Sequence, residues 1–304
     1  MFKKKYQNID LNFLDFYSTG NEDLTAKKVS GFYDIAPFPN YSEKETIESI
    51  ITKGEKNLFI KSFLNFIGNN NKKILEVGAG TCQLSIYLAT ASNNQIYSMD
   101  VTKKSLLCGY EFAKKNKIEN IHFILADIFD DIFENDTFDY IICSGVLHHT
   151  KDSKKSFEII SKYLKTEGYI LLGLYNTFGR FRTHVRQLIF KYINKNLAKF
   201  FDPYLRSIKN KNSPKFISWV RDQYLHPIER SHTFDETIKW FNENKIELIN
   251  FVPSKFLNDN DENDIFSKKS SQGNLVERVF EQIFMNFTKL GSEGGLFIAI
   301  GKKK

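Results

Sequence analysis

The sequence predicts an α/β fold built on a mostly parallel sheet, and three observations predict it. Short apolar runs alternate with helix-period segments from about residue 72 to 175. The first run, Lys73–Val77, opens directly into the glycine turn Gly78-Ala79-Gly80. Carboxylates stand at the ends of the first three runs, at Glu76, Asp100 and Asp127. Parallel strands need crossovers, which the helical segments supply, and such sheets bind ligands beyond the carboxyl ends of their strands.

Taken in order, Lys73–Val77 is the first strand and Gln83–Ala91 the helix after it. Gln95–Met99 is the second strand, followed by a helix over Lys103–Lys115, and Ile121–Leu125 is the third. Phe138–Cys143 is the fourth, with a helix at about Lys154–Leu164. Tyr169–Leu174 is the fifth, almost wholly apolar, as suits a strand covered on both faces. A helix over Asp235–Asn244 leads to a sixth strand at Ile246–Val252. Another over Asn274–Phe287 leads to a seventh at Gly295–Ile300, expected to run antiparallel. Around this core, residues 1–70 read as an N-terminal helical lid carrying the aromatic, proline-bearing stretch Phe32–Tyr41. Residues 71–175 read as the ligand-binding core, 176–245 as a basic helical cap inserted after the fifth strand, and 246–304 as the final strands. Asn258–Ser271 reads as a mobile loop, polar and short of apolar anchors.

At 304 residues, with 41% hydrophobic and 26% charged residues, the chain can bury a full core, which excludes a mini-protein and global disorder. The longest strongly apolar stretch, 169–175, is far short of the ~20 residues that cross a bilayer. The lysine-rich start lacks the apolar run of a secretory signal. Cys82, Cys108 and Cys143 are too scattered for a disulfide framework or a paired-cysteine metal site. A soluble, cytoplasmic protein is expected. Its net charge of +7 is unevenly spread: residues 176–232 hold twelve Lys/Arg, six of the seven arginines among them, against three Asp/Glu. That segment is +9 and the remainder −2 (7 − 9).

Two nucleotide ligands compete for the glycine turn. Gly78 and Asp100 are 22 positions apart, close to the ~20 expected of a carboxylate that reaches ribose hydroxyls. A nicotinamide dinucleotide would place a pyrophosphate on the turn and use a third glycine, but Gln83 stands there and Glu76 would repel phosphate. S-adenosylmethionine carries an ammonium, a sulfonium, ribose hydroxyls and an adenine amine, and no phosphate. Three carboxylates suit it better. Each acid taken singly could be a turn or cap residue; three at successive strand ends are harder to explain that way.

Leu75-Glu76-Val77-Gly78-Ala79-Gly80-Thr81, Met99-Asp100, Ala126-Asp127-Ile128 and Gly145-Val146-Leu147-His148-His149 resemble the motifs of class I S-adenosylmethionine-dependent methyltransferases. Within that Rossmann-like family, the nearest resemblance is to the broad group containing the ubiquinone and menaquinone biosynthesis methyltransferases. It covers roughly residues 72–175, and its motifs are specific for fold and cofactor but poor for substrate. It implies that Glu76 and the backbone of Gly78, Ala79 and Gly80 surround the methionine part of S-adenosylmethionine, and that Asp100, with Val101 beside it, holds the ribose. Asp127 and Ile128 would flank the adenine, and Cys143 would lie behind the sulfonium. The family's third glycine corresponds here to Cys82.

Methyl transfer from a sulfonium rests mainly on positioning and exclusion of water, with a base needed only for some acceptors. The candidate catalytic residues are His148, His149 and Tyr175, at the ends of the fourth and fifth strands. Either histidine could take a proton or shape the pocket, or simply pack the loop. The candidate acceptor-binding residues are Asn176, Arg180, Arg182, Arg186, Tyr224, His226 and His232. Guanidinium groups pair with phosphate or carboxylate, so the cap points to an anionic small or medium metabolite. An RNA acceptor, a membrane head group and a non-catalytic binding protein stay open as alternatives. His226, Glu229 and His232 match no strong metal-ligand spacing, and no metal is expected.

Overall fold

The computed structural model describes all residues except 11, 18–23, 36, 40, 42–44, 193–201, 209–212, 227, 255–264, 268 and 288–294. Among the described residues nine strands form one sheet: β1 (Gln7–Asp10), β2 (Phe13–Asp15), β3 (Lys73–Val77), β4 (Gln95–Asp100), β5 (Ile121–Leu125), β6 (Phe138–Ser144), β7 (Leu164–Tyr175), β8 (Ile246–Val252) and β9 (Leu296–Lys303). Their order is β1-β2-β5-β4-β3-β6-β7-β9-β8. β2 to β7 are parallel, β9 lies antiparallel to both β7 and β8, and β1 is antiparallel to β2. Strand order reverses at β3, which opens a crevice at its carboxyl end.

The helices are α1 (Leu24–Ile35), α2 (Ile47–Lys56), α3 (Leu58–Ile67), α4 (Gln83–Ala91), α5 (Lys103–Lys115), α6 (Ser153–Tyr163), α7 (Phe181–Tyr192), α8 (Pro203–Ser207), α9 (Pro214–Tyr224), α10 (Phe234–Glu243) and α11 (Leu275–Phe284). Successive strand residues feed opposite cores, as a period of two requires. Ile74, Ile96 and Phe123 join α2 to α5 on one face, and Leu75, Tyr97 and Ile124 join α6 and α10 on the other. The helix starts follow capping chemistry. Asp202 and Ser213 each accept backbone N–H bonds and precede a proline at the first helical position, and Thr233 accepts from the Glu236 N–H.

The seven expected strands are present, and two further ones were not foreseen. The segment read as a helical lid also contributes β1 and β2, and β2 pairs with the β5 edge in the register Phe13↔Phe123. Strands of four and three residues carry too few positions to show a period. β7 is longer than expected because Leu164 already pairs with Phe138; the register then jumps to Tyr140↔Tyr169, so that residues 165–168 bulge out of the ladder, with Glu167 at φ 64°. The loop expected to be mobile has apolar anchors: Ile265 and Phe266 are buried, and the Phe266 ring stacks on Phe66 at 5.2 Å. Positions 258–264 and 268 of that loop, and 193–201 and 209–212 of the expected cap, lie outside the described residues.

Cys82 takes the left-handed conformation (φ 62°, ψ 26°) at the start of α4. That conformation costs a residue with a β-carbon roughly 1–2 kcal/mol relative to glycine. The side chain fits because α5 makes room: a Cβ on Gly109 would stand 2.8 Å from Cys82 Cβ, 3.0 Å from its Sγ and 2.9 Å from the Thr81 carbonyl. Cys82 and Gly109 are therefore complementary across the α4–α5 contact. Gly109→Ala should destabilise by about 1–3 kcal/mol, and the penalty should shrink in a Cys82→Gly background, since two of the three close contacts belong to Cys82. Urea unfolding of the four proteins reads this cycle; an equal penalty in both backgrounds would remove Cys82 from the account.

Candidate active site

A cavity of about 850 Å³ lies at the carboxyl ends of β3, β4, β5 and β6, between the sheet edge, α1 and the helices that follow β7. Gly78, Ala79 and Gly80 form its floor. The Gly78 and Ala79 N–H groups donate to the Met99 carbonyl, which pins the turn against β4. Gly78 (φ 71°) and Gly80 (φ 53°) both need glycine: a Cβ would strike Val146 at the first and the Phe38 carbonyl at the second. The N-terminal aromatic stretch is fastened over this turn. The Thr81 N–H donates to the Phe38 carbonyl at 3.3 Å, the Thr81 hydroxyl to the Pro39 carbonyl at 2.6 Å, and the Tyr41 hydroxyl to the Thr81 carbonyl at 2.8 Å. α1 adds Thr25, Ala26, Val29 and Tyr33 to the wall.

Eight of the expected cofactor residues line the cavity: Glu76, Gly78, Ala79, Gly80, Asp100, Val101, Asp127 and Ile128. Cys143 does not; it is fully buried in the core, and its neighbour Ser144 reaches the cavity instead. Asp100 accepts the Gly80 N–H at 2.8 Å and the Thr102 N–H at 2.7 Å. Burial raises its carboxyl above the usual range against the pull of those donors. Burial likewise pushes Glu76 up to about 7; the Ser85 hydroxyl that donates to it opposes the rise, and the Asp100 charge adds to it. Asp127 lines the cavity while its Oδ1 caps the turn at the Phe129 N–H (2.9 Å).

These residues fit S-adenosylmethionine. Two buried acids, Glu76 and Asp100, face one space, which suits a ligand that carries positive charge. Gln83, also in the lining and at the first turn of α4, has a buried amide nitrogen with no hydrogen-bond partner among the described residues. A donor at a helix N-terminus suits a carboxylate, which completes the pattern for the methionine end.

On the acceptor side, His149 and Tyr175 line the cavity and His148 does not. His149 Nδ1 is 2.6 Å from the Ile228 carbonyl, which places the ring proton there and leaves Nε2 as the basic nitrogen. Burial holds both His148 and His149 well below the usual histidine range, so both rings are neutral. His148 is stacked on Tyr175 at 4.0 Å, and the Arg180 guanidinium covers the Tyr175 ring at 3.4 Å.

Most of the expected acceptor residues are braces. Arg180 is fully buried; its Nε and Nη2 donate to the two Glu229 carboxylate oxygens at 2.8 and 2.6 Å, and Nη1 reaches Gln223. Asn176 ties the turn after β7 to Gln282 at 2.8 Å. Tyr224 donates to Asp202 at 2.6 Å, and Asp202 also receives the Trp219 indole N–H at 3.0 Å. His226 stacks behind His149 at 3.5 Å, its pKa pushed down to about 4 by burial. His232 sits between Ser153 and Glu236. Arg182 is exposed and donates to the Asn286 carbonyl, and Arg186 stands beside Tyr224. None of these seven reaches the lining. Glu229 pairs with Arg180, His232 with Glu236, and His226 Nδ1 lies 2.6 Å from the Ile228 carbonyl, so the three residues weighed for a metal have separate partners.

The cap residues that do line the cavity are Tyr204, Ser207, Trp219 and Gln223, with Phe129 and Lys151 at the rim; the sequence pointed to Trp219 as an aromatic of the basic cap and to the stretch holding Gln223 as pocket-lining, and to none of the others. The signal available was the i, i+4 spacing of Trp219 and Gln223, which puts both on one face of α9. Lys151 is the one basic residue in the described lining, and its ammonium lies 4.2 Å above the Phe129 ring.

A glycine turn, acids at successive strand ends and a parallel sheet closed by one antiparallel strand define the class I S-adenosylmethionine-dependent methyltransferases. The family model for the methyltransferase domain matches residues 68–230, more than half of the chain, and the chain belongs to that family. It is similar to phosphoethanolamine N-methyltransferase 2 of Caenorhabditis elegans, 27% identical over 212 residues that cover 64% of this chain and 48% of that protein. It is also similar to YcgJ, an uncharacterised methyltransferase of Bacillus subtilis (strain 168), 27% identical over 137 residues covering 45% and 53%. The chain spans about half the length of these two curated relatives. Among solved structures, PKMT2 of Rickettsia typhi shares the fold with a TM-score of 0.56 at 18% identity, covering 81% of this chain and 53% of that one.

Two measurements probe the electrostatics. The folded Glu76 carboxyl keeps its proton to about pH 7 and the unfolded one releases it near 4.5, so the native state binds more protons between those values. Stability of the ligand-free protein should therefore fall as pH rises through that window, by roughly 3 kcal/mol at most. Glu76→Gln should flatten this part of the profile in urea titrations from pH 4.5 to 7.5; parallel profiles would show that Glu76 is not its source. Breaking the buried pair by Arg180→Met or Glu229→Gln should cost about 3–5 kcal/mol, read as a lower thermal midpoint, and a loss under 1 kcal/mol would mean that solvent reaches the pair.

Proposed function

We propose that the chain transfers the methyl group of S-adenosylmethionine to a small-molecule acceptor held between the sheet edge and the cap helices. The observation that carries this reading is the pair of desolvated carboxylates, Glu76 and Asp100, facing one cavity across a glycine turn. A volume of about 850 Å³ falls in the upper part of the usual range for small-molecule sites, about 300–1,000 Å³, with room for a cofactor and a modest acceptor together.

S-adenosylmethionine, when bound, supplies a methyl group already activated on a sulfonium. Glu76 would hold its ammonium, Gln83 its carboxylate and Asp100 its ribose hydroxyls. Tyr175, Tyr204 and Trp219 keep water from the reacting centre, and Leu296 adds to the same apolar wall. His149, neutral and with Nε2 free of its carbonyl bond, can accept a proton from an acceptor hydroxyl or amine. An anionic acceptor is supported by the similarity to a phosphoethanolamine methyltransferase and by Lys151 at the rim. The arginines of the cap do not contribute to that reading, since none lines the cavity.

Calorimetry with S-adenosylhomocysteine should show micromolar binding, weakened at least tenfold by Asp100→Ala, and strengthening from pH 6 to 8 as Glu76 ionises. Methyl-label transfer to fractionated extract should mark the small-molecule pool and be lowered by His149→Phe with cofactor affinity kept. No binding to the wild-type protein would end the enzymatic reading. Binding without transfer to any pool would leave a non-catalytic protein, and label in ribonuclease-sensitive material would replace the metabolite with RNA.

A further inference from the structure

His149 can take a proton from an acceptor only while its own ring proton stays on Nδ1 and Nε2 stays bare. In a neutral imidazole that choice is made by the bond the other nitrogen makes. Here the bond is to the Ile228 carbonyl, 2.6 Å from Nδ1. What aims that carbonyl therefore sets the state of His149.

The chain is tied down on both sides of Ile228. After it, Glu229 is clamped by the buried Arg180 guanidinium at 2.8 and 2.6 Å, and the Arg230 N–H donates to the His148 carbonyl at 2.9 Å. Before it, His226 turns back on its own segment, with Nδ1 2.6 Å from the oxygen of Ile228 two residues on. A side chain bonded to the backbone in this way fixes the intervening peptide planes. The Ile228 N–H lies 3.2 Å from the same ring nitrogen, and the shorter contact, to the oxygen, places the proton on Nδ1. One carbonyl thus accepts from two imidazoles. Their rings stack with centroids 3.5 Å apart and planes 28° from parallel, which opposes rotation of either. Phe32 and Tyr33 of α1 pack on His226 in turn, at 5.1 and 5.7 Å.

Packing alone does not account for a histidine at 226. Burial pushes its pKa down to about 4, and its Nε2 is buried with no hydrogen-bond partner among the described residues. An orphaned polar atom is destabilising. Phenylalanine would fill the same place without it, and would leave the Ile228 carbonyl still bonded to His149. What phenylalanine lacks is the Nδ1 proton.

We propose that His226 is a positioning residue for the transfer reaction, aiming the Ile228 carbonyl at His149 so that the His149 proton stays on Nδ1 and Nε2 stays open to the acceptor. His226 does not line the cavity, so it acts through His149. Its role in the reaction rests on His149 being the proton acceptor proposed above.

Nitrogen-15 NMR of the full chain labelled at histidine, at pH 7.5, reads the ring of His149 without any acceptor, its signals assigned by their loss in His149→Phe. The wild type should show a single neutral tautomer with the proton on Nδ1. His226→Phe keeps a stacked ring and removes the donor; it should give a mixture of both tautomers at an unlowered thermal midpoint. His226→Asn, whose amide can bond the backbone two residues on, should return part of the Nδ1–H form. In methyl-label transfer to the small-molecule fraction of cell extract, His226→Phe should lower the rate by roughly ten- to a hundredfold, with S-adenosylhomocysteine affinity kept. In a His149→Phe background the same change should cost nothing further. If His226→Phe does not fold, His226→Leu takes its place with the same expectations. A His149 ring that keeps one Nδ1–H tautomer in the variant overturns the proposal, and so does a second, additive loss of rate in the His149→Phe background. A wild-type protein that transfers no methyl group would end the reading of His149 as proton acceptor, while the nitrogen spectrum still decides whether His226 sets its tautomer.

Discussion

The carboxylate of Asp100 holds together everything that surrounds the cavity. It stands at the end of β4 and takes backbone N–H groups from Gly80 and Thr102, so it fixes the loop after β3 relative to the loop after its own strand. The contacts that close the site are then built outward. Thr81, set by that loop, holds the Phe38 and Pro39 carbonyls, and Tyr41 returns to the Thr81 carbonyl. The same N-terminal segment offers the Phe32 carbonyl to Arg221 of α9 at 2.8 Å and its Phe32 ring to the Arg221 guanidinium and His226, which fastens the cap to it. A single acid at a strand end thus organises a wall drawn from three distant stretches of sequence.

The cap obeys a different constraint. Its polar side chains are largely occupied with one another, in the Arg180–Glu229 pair and in Asp202 with Trp219 and Tyr224. Among the described residues, Leu205 and Tyr224 anchor an apolar cluster within the cap. Trp219 and Tyr204, their ring centroids 4.0 Å apart, present an aromatic surface to the cavity.

What the sequence disclosed follows from this physics. The seven central strands were legible because a strand covered on both faces must be apolar over its length, and Lys73–Val77 and Ile121–Leu125 are found with the bounds the pattern gave. The acids and glycines of the cavity floor were legible because few other roles demand those types at strand ends. β2 was not, since three residues of an edge strand carry no period. The arginines misled for a more general reason. Charge in a sequence shows that a partner must exist and not where it is, and Arg180 finds Glu229 within the chain, 49 positions on. α11 shows the same limit: the sequence marked a helix at Asn274–Phe287, but which side turns inward is set by Asn176 and the Phe234 backbone, whose partner is Gln282.

The fit between Cys82 and Gly109 restricts the order in which such a loop can change during descent. A cysteine arriving first, opposite any residue with a β-carbon at 109, would press into α5. A glycine arriving first at 109 would leave only a methyl-sized gap beside the loop, which a core tolerates. While Cys82 is in place, position 109 therefore cannot take a β-carbon without a penalty. The loop that follows the glycine turn is backed from outside by α5, whose Gly109 lies against Cys82.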